Sequence, residues 1–515
     1  MPHTNFTDDE KAKMDEYSAK IVQLKEKRRI QLEDIDNEII AVQACLGAIH
    51  NKRSPLLRVP VELTCRIFTF AQQPRNKDKL EIEIVVSKVC HQWRSIALGL
   101  PKLWTTFYHE ADGYAAVPLQ RFVAYLERSA PLPLCIWFDF EADDNEPSNV
   151  ELVEKAVEHA YRWQYFTMLS ADELLLKLLY QLQETSAPML ECLTLLPAEQ
   201  MHSNIDGDYP YGIISMFSSI FEQGAPKLTY LMLNGHSTMR TLPPLSHITI
   251  LRIEKSCCDS MVVFEHRLFV QLLSLPSLNQ LSLAGDLIEP FDLHRIIHMP
   301  NLKRFRVSQF DMIWDVLQCI RAPQLDTLIV HLSQFEPVLE EIGSAPPDQD
   351  YSFPALRKLY VVESEFPDPE SYPDSDPITG TFIRLMKQAT DVLILGPSPQ
   401  TSLFQAIVDE GYAEVAWPQL KTLSCNIGED NIDTYLTFAR NRPRHSFGFR
   451  LSGALFRRWA SNTPSKLNEL KQSAVVVLEE NPKWKLEEPF WPQNLDLGPD
   501  YDFGKGDEVC IRTYS

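Results

Sequence analysis

At 515 residues the chain exceeds what one ordinary core serves, so two or more structural units are expected. It is 44% hydrophobic and 23% charged, the balance of a soluble, folded protein. Its 49 basic and 70 acidic residues leave a net charge of −21, which repels phosphate backbones and anionic lipid and so argues against nucleic-acid and membrane-surface binding.

Thirty-six prolines against 18 glycines argue against a barrel built on tight glycine turns and imply a repeated structural use of proline. The first ten residues have neither the basic nor the apolar region of a signal peptide, and no run of 18 apolar residues occurs. The ten cysteines are scattered from Cys45 to Cys510 without a C-x-x-C, as reduced intracellular thiols are. A cytoplasmic or nuclear protein is expected.

Residues 1–53 read as one long helix. Met14, Tyr17, Ile21 and Leu24 lie on a seam that resumes after Arg28 as Leu32, Ile35, Ile39, Val42, Leu46 and Ile49. Ile21 to Leu32 is 11 residues, a heptad plus a four-residue stutter. Such a seam suits a homodimer through the N-terminal helix, or a helix lying along its own chain.

Residues 54–108 read as three short helices. Pro60 suits a first helical position and Glu62 the positive first turn. Leu63, Ile67 and Phe70 then fall at i, i+4 and i+7. Ile82, Val85, Val86 and Val89 form a second apolar face, continued by Trp93 and Ile96 and closed by Leu103-Trp104. Bundles this small usually lean on a partner or a neighbouring domain. The run Leu57-x-x-Pro60-x-Glu62-Leu63-x-x-x-Ile67-Phe68, with Val89-Cys90-His91-Gln92-Trp93-Arg94 and Leu103-Trp104, resembles an F-box, with Thr64-Cys65 where an aliphatic residue is usual. Set between a heptad helix and leucine-rich units, it looks like the fungal F-box proteins. The resemblance implies docking to a Skp-family adaptor of a cullin–RING ubiquitin ligase, with Leu57, Pro60, Leu63, Ile67, Phe68, Val89 and Trp93 facing the adaptor.

Residues 109–480 repeat one phrase, small-Pro-x-Leu-x-x-Leu-x-Leu. It begins at Pro188, Pro226, Pro276, Pro300, Pro323, Pro354 and Pro418, with weaker copies at Ile248–Ile253 and Leu393–Leu395. The spacing of 20 to 38 residues is that of leucine-rich repeats with insertions. Leu-x-Leu alternates inward and outward along a short strand, and the proline is expected to end the preceding helix. Helices are predicted over 264–275, 311–320 and 382–388. The fold class expected is α/β: a long N-terminal helix, a small three-helix F-box-like unit, then an irregular leucine-rich-repeat-like solenoid with parallel strands on its concave face. Residues 117–180 read as an irregular first repeat, and residues 481–515 as an acidic, aromatic tail or cap.

On such a solenoid the residues between the leucines point outward. Tyr230, Arg252, Arg304, Arg306, His331, Lys358 and Tyr360 are the candidate substrate-binding set, gathering positive charge in an acidic chain. They fit a protein substrate with an acidic or phosphorylated segment; the alternative is ordinary solvated strand residues. No phosphate loop or nucleophile elbow occurs, and His294 with His298 lacks a third metal ligand, so no enzyme, metal or cofactor is expected. Two functional readings stand: a substrate-recognition subunit of a ubiquitin ligase, and a non-catalytic interaction scaffold whose F-box-like unit is a structural cap.

Overall fold

Thr7 opens the first helix with a capping box: its backbone N–H donates to Glu10 Oε2 at 2.8 Å, and the Glu10 N–H donates to Thr7 Oγ1 at 3.4 Å. These bonds hold the exposed Glu10 carboxyl below its ordinary range. In the computed structural model, α1 then runs unbroken from Asp8 to Asn51. The structure describes residues 7–51, 53–72, 81–110, 119–140, 146–170, 179–197, 220–233, 242–254, 266–284, 296–308, 313–332, 353–363, 378–395, 403–409, 411–426 and 432–479. Ion pairs one turn apart line α1, with Lys13–Asp9 at 3.1 Å, Arg29–Glu26 at 2.8 Å and Arg29–Glu33 at 3.1 Å.

The chain divides into two compact units, the first holding residues 7–72 and 81–100 and the second residues 101–479. In the first, a 3₁₀ turn at Pro55–Arg58 precedes α2 (Val61–Ala71), α3 (Ile82–Val89) and α4 (His91–Leu98). Pro60 stands one residue ahead of α2, as its cap, and its carbonyl accepts the Thr64 N–H at 3.0 Å. Cys90 is extended and breaks α3 from α4; its Sγ accepts the Trp93 N–H at 3.5 Å. Gln92 Nε2 ties α4 back to the Leu57 carbonyl at 3.3 Å. The interior is small. Phe68 and Trp93 meet edge to face at 5.1 Å, and Phe68, Val86 and Ala97 are the buried apolar residues among those described.

The second unit is built on a 14-stranded sheet. Its strands are β1 (Thr106–Glu110), β2 (Leu134–Phe140), β3 (Trp163–Ser170), β4 (Cys192–Pro197), β5 (Tyr230–Leu233), β6 (Ile250–Glu254) and β7 (Gln280–Ala284). They continue with β9 (Arg304–Ser308), β11 (Thr327–Leu332), β12 (Lys358–Glu363), β13 (Asp391–Leu395), β14 (Thr422–Asn426), β15 (Gly448–Ser452) and β16 (Val475–Glu479). A separate parallel pair joins β8 (Ile297–His298) to β10 (Ile320–Arg321). In the large sheet every pairing is parallel, and each strand bonds only to those before and after it in the chain. All nine leucine phrases form strands of this sheet.

The register is in phase along the sheet apart from one shift between Leu134 and Cys135, where β2 meets β3. One row runs Phe107, Ile136, Phe166, Leu193, Leu231, Leu251, Leu281, Phe305, Leu328, Leu359, Val392, Leu423, Phe449, each at most 2% exposed. This is the core side. Phe122 of α5 (Leu119–Ser129) lies 4.6 Å from Phe107 and 5.6 Å from Phe138. At the other end Tyr435 of α11 (Ile432–Arg440) lies 5.2 Å from Phe449 and 5.0 Å from Trp459 of α12 (Gly453–Asn462). Between them come α6 (Glu146–Val157), α7 (His266–Leu273), α8 (Ile313–Cys319), α9 (Ile378–Leu385) and α10 (Leu403–Asp409). Helix α13 (Pro464–Ser473) closes the series. The predicted helices correspond to α7, α8 and α9, the last beginning four residues early at Ile378.

The phrase prolines act differently from expectation. Each occupies the second position of a β-turn closed by the repeat leucine: Leu190 N–H to Ala187 O at 3.2 Å, Leu228 to Ala225 at 3.0 Å, Leu325 to Ala322 at 3.1 Å, Leu356 to Phe353 at 3.2 Å. Proline's fixed φ suits that position, so it points the chain into the strand whether or not a helix precedes it. The proline is exposed while the first and last residues of these turns are buried.

Two arginines serve as internal clamps. Arg162 donates to the Leu132 carbonyl at 2.9 Å, the Leu126 carbonyl at 3.2 Å and Ser129 Oγ at 2.8 Å, tying α5 to the start of β2. Arg442 donates to the carbonyls of Ala413, Ala416 and Trp417 and lies over the Phe438 ring at 4.4 Å. Burial pulls the Arg442 pKa down to about 10, still charged at neutral pH. Among the described residues no helix is long and apolar enough to cross a membrane. The insertions at 346–350 and 365–376 and the tail 481–515 lie outside the described residues.

Candidate functional site

Two surfaces carry the residues singled out by sequence. The first is the helical unit, where α2 is amphipathic with its apolar side outward. Leu63 is 48% exposed, Ile67 56% and Phe70 83%, while the buried side holds Thr64 and Phe68. Thr64 tolerates burial because its Oγ1 donates to the Pro60 carbonyl at 3.2 Å. Val61 and Leu56 are exposed beside this face in sequence, and Val89 at the end of α3 is exposed too. Of the predicted adaptor set, Pro60, Leu63, Ile67 and Val89 are therefore exposed, Leu57 and Trp93 half-buried, and Phe68 buried. Phe68 and Trp93 spend their rings on each other. Phe70, Val61 and Leu56 were not in that set; the i+7 spacing from Leu63 is the signal that finds Phe70. These large apolar side chains lie exposed together along α2 and the end of α3.

The motif's closing pair lies in the second unit. Leu103 and Trp104 sit in a 3₁₀ turn (Pro101–Trp104) and are buried, Trp104 meeting Tyr125 edge to face at 5.0 Å with Arg128 over its ring at 4.4 Å.

The second surface is the sheet face opposite the core. Parallel register orders it in rows. One runs Tyr108, Trp137, Thr167, Thr194, Met232, Arg252, Ser282, Arg306, Ile329, Tyr360, Leu393, Ser424, Arg450. Its neighbour runs Tyr165, Cys192, Tyr230, Ile250, Gln280, Arg304, Thr327, Lys358, Asp391, Thr422. Arg252, Arg304, Arg306, Lys358 and Tyr360 thus share one face over five adjacent strands, about 19 Å of sheet at the usual strand spacing. Arg306 Nη1 lies 3.5 Å from Ser282 Oγ, which register places between the two arginines of its row. Lys358 is exposed and Arg304 and Tyr360 half-buried, whereas Arg252 and Arg306 are 6% exposed. His331 falls in β11, one row further along, and its side chain lies outside what is described.

Tyr230 belongs to a different environment. It is 1% exposed within an apolar cluster of Trp137, Leu169, Cys192, Leu196 and Met232, against which Tyr108, Tyr165 and Ile250 pack. Tyr108 and Trp137 stack at 5.7 Å. The face is therefore aromatic over β1–β5 and polar with four cations over β6–β12. Nothing in the phrase signalled Tyr108, Trp137 and Tyr165, because β1–β3 lack its leucines; ahead of β2, Pro133 stands at the first leucine position.

Little reaction chemistry is available here. Burial pushes the Cys135 thiol up to about 12, and burial followed by the Glu191 charge pushes Cys192 up as well, so both are neutral thiols at pH 7. Tyr165 is raised by the same two causes while donating to Glu191 Oε2 at 3.2 Å. Among the described residues no group of three metal-ligating side chains occurs. No protein-family model and no curated protein matches this chain.

Proposed function

We propose that this chain is a substrate-recognition subunit of a cullin–RING ubiquitin ligase. Its helical unit docks a Skp-family adaptor, and its second unit, a leucine-rich-repeat-like solenoid with the strands on its concave face, holds a protein substrate. The observation that carries this reading is the outward apolar face of Leu63, Ile67 and Phe70, with Val89 exposed on α3. A solitary small bundle does not keep such side chains in water without a partner. The cations of β6–β12 suit an acidic or phosphorylated substrate segment, since guanidinium groups pair with carboxylate and phosphate oxygens at fixed geometry. The protein works in the cytoplasm or nucleus, where that ligase machinery acts, and needs no cofactor.

A second reading, an interaction scaffold capped by the helical unit, draws on the Phe68–Trp93 pair, which uses two motif residues for internal packing. Co-expression of the full chain with the Skp-family adaptor separates the two. A complex that survives purification and is lost on Leu63→Asp with Ile67→Asp supports the ligase subunit. No complex with the unaltered chain leaves the scaffold.

A further inference from the structure

We propose that α1 pairs with α1 of a second copy of this chain, antiparallel, about a two-fold axis between Gln31 and Leu32. All ten seam side chains from Met14 to Ile49 are between 48% and 64% exposed. A single straight helix of 44 residues cannot fold back to cover them.

The direction of pairing follows from two symmetries. The first is spacing. In an antiparallel pair, residue i of one helix lies level with a residue of the other such that their numbers have a constant sum. A sum of 63 sets Met14 opposite Ile49, Tyr17 opposite Leu46, Ile21 opposite Val42, Leu24 opposite Ile39 and Arg28 opposite Ile35. Eight of the ten seam residues pair with one another; Ile35 meets Arg28, and Leu32 lies level with Gln31 at the axis. The stutter, which would spoil the register if it lay elsewhere, falls on the axis where both helices carry it together.

The second symmetry is charge. Lys25, Lys27 and Arg29 on one side of the axis mirror Glu38, Asp36 and Asp34 on the other. Antiparallel packing sets each basic segment on the partner's acidic one. Parallel packing sets Lys20 beside Lys25 of the partner and the two Arg28 guanidiniums side by side in the seam, and nothing offsets either contact.

The test uses the full chain with Cys45→Ala as background. Light scattering at micromolar concentration is expected to give twice the 59.2-kDa chain mass. Chains carrying Ile21→Cys and chains carrying Val42→Cys are expected to cross-link when mixed, beyond the background rate, and not when oxidised separately. The two positions lie about 31 Å apart along one helix, so no bond forms within a chain. Lys25→Glu with Lys27→Glu is expected to weaken the dimer at least tenfold at low salt, and adding Asp36→Lys with Glu38→Lys to restore it. Cross-linking of either single variant with itself means a parallel pair and overturns the proposal, as does a monomeric mass.

Discussion

Leu63 and Leu328 are both regularly spaced leucines, yet the first is 48% exposed and the second completely buried. The contrast extends to their units. In the helical unit the large apolar side chains of α1, α2 and the end of α3 face water, and the interior reduces to Phe68, Val86 and Ala97. In the sheet unit the same residue types disappear into a row 13 strands long. Apolar periodicity establishes that a face will be covered. It does not establish by whom: the next repeat covers the row in the sheet unit, whereas the helical face stays exposed among the described residues.

The sharpest break in that comparison comes from matched truncations. Leu328→Ala is expected to destabilise the sheet unit by about 2–5 kcal/mol, since it opens a cavity in a closed row. Leu63→Ala is expected to change stability by no more than about 0.5 kcal/mol, since it removes an exposed side chain. Urea unfolding followed by tryptophan fluorescence measures both. A Leu63→Ala cost equal to that of Leu328→Ala would mean that its face is already covered within the chain.

Arg442→Met tests the clamp near the end of the sheet unit. Three carbonyls lose a charged donor, each such bond contributing about 1.5–3 kcal/mol. The expected loss is at least 3 kcal/mol in the same urea experiment.

A further effect is a pH dependence in the sheet unit. Cys135 ionises near 9.0 when unfolded and near 12 when folded. Its raised pKa means that the folded state retains a proton the unfolded chain gives up, so stability is full below pH 9 and falls as pH rises toward 12. Cys135→Ala is expected to flatten that fall in thermal unfolding measured between about pH 8 and 11.

Much of the sheet was legible because its chemistry repeats. A leucine phrase closed by a proline turn can be counted along the chain, and each of the nine copies lies on a strand. Strands β1, β15 and β16 escaped because they reach the same row without the phrase: Phe107 stands for leucine, and Gly448-Phe449 opens β15, while β2 and β3 fall in the stretch 117–180 read as an irregular first repeat. The candidate sites were legible by position but not by exposure. Spacing placed Phe68 with Leu63, and only the packed helices separate a ring that meets Trp93 from a side chain left in water. Tyr230 and Arg252 illustrate the same limit, since alternation assigns the face of the sheet and says nothing of what covers it.

The pairing order of the large sheet bears on how the protein is made. Each strand of the large sheet bonds to the strand of that sheet made before it, so its pairing follows chain order. The sheet can grow one strand at a time as the chain leaves the ribosome, each new row of leucines closing over the last. Its unfinished edge is then always the most recently made strand. Among the described residues that edge is β16, where Val475, Val477 and Leu478 remain nearly half exposed.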